Sequence, residues 1–69
     1  MEEKYTLVGV DGNAFSVMGY VRHAMKECHK TKEEIDAYIK DAMSSNYSHL
    51  INVSIDMIDK LNKELANEE

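Results

Sequence analysis

Tyr5-Thr6-Leu7-Val8-Gly9-Val10-Asp11-Gly12-Asn13-Ala14-Phe15 carries the change of periodicity on which the fold turns. Residues 4–10 alternate weakly, with Tyr5, Leu7 and Gly9 on one face and Thr6, Val8 and Val10 on the other. Their aromatic and β-branched content predicts a strand. From Ala14 onward apolar residues recur at helical spacing instead. Between the two patterns, Gly12 offers the positive φ that a tight reversal needs. Asn13 is placed to cap a helix by accepting a backbone N–H two or three residues on. The result is an exposed helix N-terminus, where backbone N–H groups and the helix dipole favour an anion.

Outward from this junction the chain reads as helix. The first helix is expected over 14–29, with Ala14, Val17, Val21, Ala24 and Cys28 in one apolar row and Phe15, Met18 and Met25 in an adjacent one. Together they cover about half the circumference. Gly19 sits inside this helix, at a cost of about 1 kcal/mol relative to Ala unless a close approach exploits the missing side chain. Thr31-Lys32-Glu33-Glu34 forms a capping box that starts a second helix over 32–44, with Ile35, Tyr38, Ile39, Ala42 and Met43 on one face. Asn46 caps a third, over 47–66, whose stripe is Tyr47, Leu50, Ile51, Val53, Met57, Ile58, Leu61 and Leu65, widened by Ile55.

The fold class is therefore mainly α: one N-terminal strand followed by three helices in a single small domain, 1–69. No second strand-like run exists to satisfy the first, so pairing with the same strand of another subunit is the simplest closed solution. Two of the helices also carry more apolar surface than a three-helix monomer hides, and 69 residues are few for a self-sufficient core. One cysteine excludes an internal disulfide, and no paired Cys/His zinc pattern is present. A homo-oligomer, at least a dimer, is the expected state.

Thirteen acidic against eight basic residues give a net charge of −5, which disfavours direct nucleic-acid binding and suits solubility or a basic protein partner. Met1-Glu2-Glu3-Lys4 lacks the basic and apolar regions of a signal peptide, and no apolar run reaches membrane-spanning length. A cytoplasmic protein away from membranes is expected.

Catalysis requires groups converging in a pocket, and no nucleophile elbow, phosphate loop or metalloprotease motif occurs. His23 projects about 140° from Cys28 and about 120° from His29 on a helix, so the three do not converge on one ion. No enzyme, catalytic residue, metal or cofactor is expected. The polar residues that stand out cluster at helix starts. The candidate ligand-binding set is Gly12, Asn13, Ala14, Phe15, Ser16, Arg22, Tyr47 and His49. A planar anionic ligand would stack on Phe15 and be held by helix-start N–H groups and the Arg22 guanidinium. Caps and turns alone account for the same residue types.

Gly12-Asn13-Ala14-Phe15, followed by Tyr20-Val21, Lys32-Glu33-Glu34-Ile35-Asp36, Asp41-Ala42-Met43-Ser44, Tyr47 and His49-Leu50, resembles a family of short bacterial and phage proteins over about residues 7–61. Relatives commonly read Ser-Gly-Asp-Tyr before the last helix. Here Ser45-Asn46-Tyr47 keeps a cap but removes a carboxylate. The resemblance implies a phage or mobile-element accessory protein, of counter-defence type, rather than a reaction. The functional expectation is a non-enzymatic homo-oligomeric binding protein that sequesters a small anionic ligand such as a nucleotide signal or engages a host protein. The alternative is a structural or regulatory oligomer acting on a protein partner through its acidic surface, with no small-molecule ligand.

Overall fold

The computed structural model describes residues 4–68; residues 1–3 and 69 of the expected domain lie outside them. Three helices form among the described residues: α1 (Ala14–Glu27), α2 (Lys32–Ala42) and α3 (Tyr47–Glu68). The long α3 is the spine against which α1 and α2 both pack. Val21, Ala24, Met25 and Leu61 lie at the centre of the core, with Ile35, Tyr38, Leu50 and Ile58 around them. One polar group is buried with them: Ser54, fully enclosed, sits 2.6 Å from the Tyr38 hydroxyl. Each satisfies the other, which sets α2 against α3.

The expected strand does not form. Residues 5–7 take no regular secondary structure, and the chain then turns, with Val10 N–H donating to the Leu7 carbonyl at 3.1 Å. Gly9 takes φ +87°, as the third residue of a type II turn requires. The positive φ expected at Gly12 is thus found at Gly9.

Nor does the segment need a strand from another subunit, because side chains of its own chain satisfy it. Tyr5 N–H donates to Asn62 Oδ1 at 3.0 Å, and Asn62 Nδ2 donates to the Tyr5 carbonyl at 2.9 Å. A single carboxamide supplies the donor and acceptor that a neighbouring strand would offer. Thr6 N–H donates to the Tyr20 hydroxyl, and the Tyr5 hydroxyl donates to Glu27 Oε1, both at 3.0 Å. Tyr5 is thereby buried between α1 and α3. Burial, then its bonds to Glu27 and Cys28, push its phenol well above the ordinary range.

Helix ends also differ from expectation, each for a local reason. α1 stops at Glu27 rather than His29, because His29 adopts the left-handed conformation (φ +63°) that closes a Schellman motif. Lys30 N–H reaches the Met25 carbonyl and His29 N–H the Lys26 carbonyl, both at 3.0 Å. α2 ends at Ala42, two residues early, since both the backbone N–H and the hydroxyl of Ser44 bond to the Asp41 carbonyl. Its start is as read: Thr31 Oγ1 accepts Glu34 N–H and Glu34 Oε2 accepts Thr31 N–H. α3 runs two residues longer than expected, to Glu68.

Two substitutions test this framework by urea denaturation monitored through helix content. Asn62→Leu strands the Tyr5 N–H and carbonyl and is expected to cost about 2–3 kcal/mol. His29→Gly relieves the left-handed position and is expected to gain about 0.5–1 kcal/mol.

Candidate functional site

The starts of α1 and α3 meet at one end of the bundle, beside the end of α2. Asp11 Oδ1 accepts Asn13 N–H at 3.2 Å, and Asn13 Oδ1 accepts Phe15 N–H at 2.8 Å, so Asn13 is a working cap. The Tyr47 hydroxyl donates to the Gly12 carbonyl and ties the two helix starts together across 35 residues. At α3, Asn46 Oδ1 accepts His49 N–H at 3.0 Å. His49 Nε2 lies 3.0 Å from the Asp41 carbonyl and 3.1 Å from Asp41 Oδ1. Both neighbours are acceptors, so Nε2 carries the proton and His49 straps α3 to the last turn of α2.

Above these bonds lies an apolar groove of about 260 Å³, floored by Ala14, Met18, Ala42 and Leu50 and walled by Phe15, Met43 and Tyr47. Ser45 and Asn46 form its polar rim. The walls stand out from the surface: Phe15 is 77 %, Met43 59 % and Tyr47 49 % exposed. Of the sequence-derived set, Ala14, Phe15 and Tyr47 line the groove, and Gly12 adjoins it through its carbonyl's bond to the Tyr47 hydroxyl. Asn13 is spent on the cap, and Ser16 is exposed just beyond the groove. His49 is bonded to Asp41, away from the lining. Arg22 is exposed on α1, seven residues past Phe15, and does not line the groove. That is about 10 Å along the helix axis. The stack of Phe15, helix-start N–H groups and guanidinium is not assembled around this groove.

Sequence reasoning missed Met43, because it lay on the expected inner face of α2; the earlier helix end turns it outward. It also missed the larger feature around it. No Asp, Glu, Lys or Arg occurs from Gly12 to Val21 or from Ala42 to Ile55, although the chain carries eight basic and thirteen acidic residues elsewhere. Those two runs are the first halves of α1 and α3 together with the α2–α3 connection. The charge pattern of the sequence was the available signal: the stretches that build the groove are uncharged, with Asp11 and Asp41 at their borders, and the rest is densely charged.

Other clusters are less selective. A groove of about 300 Å³ beside α2 and α3 sets Lys30 and Lys60 against Glu34 and Asp41 over an apolar floor. A shallower one along the second half of α3 likewise mixes both signs. Lys30 is held by Glu64 Oε1 at 2.5 Å, which keeps its ammonium protonated above the usual range. Cys28 Sγ lies 3.9 Å from the Tyr5 hydroxyl, and His23 Nε2 3.6 Å from Glu27 Oε2. No group of three His, Cys, Asp or Glu side chains among the described residues is placed to hold a metal ion. No described helix is long and apolar enough to cross a membrane. Comparison of the chain with protein-family models, characterised proteins and solved structures returns no match.

Exposed groove walls and internal ties predict opposite responses to truncation. Phe15→Ala is expected to change stability by less than about 0.5 kcal/mol, and Tyr47→Phe, which frees the Gly12 carbonyl, to cost about 1 kcal/mol. Thermal and urea unfolding of the two variants against the parent checks both.

Proposed function

We propose that this chain is a non-enzymatic, homo-oligomeric binding protein, a phage or mobile-element accessory protein as its Gly-Asn-Ala-Phe pattern suggests, and that the groove between Phe15, Met43 and Tyr47 is its recognition face. The observation that carries this reading is the groove's composition. Three large apolar side chains stand in solvent together, at an end of the molecule without a charged residue in the surrounding runs. Protein interfaces are distinguished by this signature, aromatic and Met enriched and charge depleted at the centre. Isolated exposed apolar residues are ordinary; a group of three walling one groove is not.

Dimensions and chemistry favour a protein partner over a nucleotide. Pockets for drug-sized ligands run from about 300 to 1,000 Å³, and this one, at about 260 Å³, takes a single aromatic or aliphatic side chain. Its lining offers no cation for a phosphate, since Arg22 stands off it. The groove acts by burying an anchor. The acidic remainder of the surface then serves solubility and steers a basic partner toward the molecule.

A photo-crosslinking phenylalanine analogue in place of Phe15 tests the reading in cells producing the protein. Protein adducts at this position are expected, and Met43→Glu is expected to suppress them. Absence of any protein adduct, together with thermal stabilisation of the purified chain by nucleotides, would replace this reading with the small-ligand one.

A further inference from the structure

We infer that the end bearing the groove is where two copies of this chain meet, related by a two-fold axis, with the Phe15 ring of each seated against the Met43 and Tyr47 walls of the other. This rests on the interaction reading above and names the partner.

A two-fold interface uses the same patch on both subunits, so the patch must complement itself. This end does: it presents a projecting ring, Phe15, directly beside an apolar groove of the size of one side chain. A foreign partner requires only the groove. The knob and the groove side by side are what self-association requires.

Charge then selects among the faces. Every copy carries −5, so contact through a face rich in carboxylates brings like charges together at close range. The runs 12–21 and 42–55 contain none, and the carboxylates at their borders, Asp11 and Asp41, are engaged by Asn13 N–H and His49, so the groove itself can meet its copy without opposing side-chain charges in its lining. A standard interface covers about 800 Å² per partner, which is about a sixth of the 4908 Å² accessible surface.

Gly19 fits the same picture. It lies one turn beyond Phe15 in the interior of α1, and a Cβ built on it meets nothing within 4 Å. Nothing inside the chain accounts for a glycine there. An approaching second backbone would use the space.

Sedimentation of the full chain from about 1 μM to 1 mM tests the assignment. A dimer is expected. Phe15→Glu should weaken self-association by about 100-fold or more, the scale of a central interface residue, while helix content stays unchanged because the ring is exposed in the single chain. Ala66→Glu adds the same charge 19 residues from Tyr47, about 28 Å along α3, and should leave the dimer intact. A dimer that persists in Phe15→Glu would put the interface elsewhere and overturn the inference. A parent chain monomeric throughout, yet still crosslinking a different protein from position 15, would overturn the second copy as partner and keep the groove as recognition face. A monomer with no protein adduct would remove both.

Discussion

The carboxamide of Asn62 holds the molecule closed. It gives the Tyr5 backbone both of the hydrogen bonds that an edge strand would otherwise seek from a neighbour. With that pair made, Tyr5 lies buried in the seam between α1 and α3, the Tyr20 hydroxyl takes up Thr6, and the chain reaches Gly12 already aligned with the start of α3. An unpaired backbone group in a seam of this kind costs about as much as a whole hydrogen bond. One residue therefore removes the strongest reason for the segment to pair outside the chain. What remains exposed is side-chain surface, and Phe15, Met43 and Tyr47 gather its apolar part at one end.

The segregation of charge gives the two ends different physical characters. Around the second half of α3 and the faces of α2, lysines and carboxylates interleave. Exposed pairs of this kind add little stability but keep the surface hydrated, whereas Lys30–Glu64 is partly buried. At the other end, caps and straps are made by Asn13, Asn46, the Tyr47 hydroxyl and His49, with the carboxylates of Asp11 and Asp41 taken up by Asn13 N–H and His49. A helix start can be stabilised by Asp or Glu through its dipole, and α2 does so with Glu33 and Glu34. α1 and α3 have no acidic residue in their first turns. Their neutrality coincides with the exposed apolar groove, which charge would make harder to cover.

Legibility of the fold followed how local the deciding interaction was. The capping box of α2 and the Asn13 cap depend on residues within three positions and were readable directly. Residues 4–10 were misread because alternation and β-branched content describe a half-buried extended segment, and the partner that keeps it from becoming a strand is 57 residues away. Gly9, a poor strand residue, was the local warning. The end of α1 was hidden because His29 takes a position usually given to glycine. In the site, Gly12, Ala14, Phe15 and Tyr47 converged as their helix-start positions implied. Arg22 separated from them because proximity on a helical wheel ignores distance along the axis. Met43 was hidden by a helix boundary, and the uncharged runs by attention to which residues were present instead of which were absent.

Separation in sequence between Tyr5 and Asn62 also has a consequence in time. During synthesis at roughly 5–20 residues per second, about 3–11 s pass between the making of the two. Throughout that interval Tyr5-Thr6-Leu7-Val8 is an extended-prone run whose Tyr5 N–H and carbonyl lack the carboxamide that satisfies them. Such runs nucleate improper pairing between molecules. Gly9 limits the hazard, since the turn it makes cuts the run short before a ladder can lengthen. The glycine that makes Leu7–Val10 a turn thus also serves as a guard while the chain is still being made.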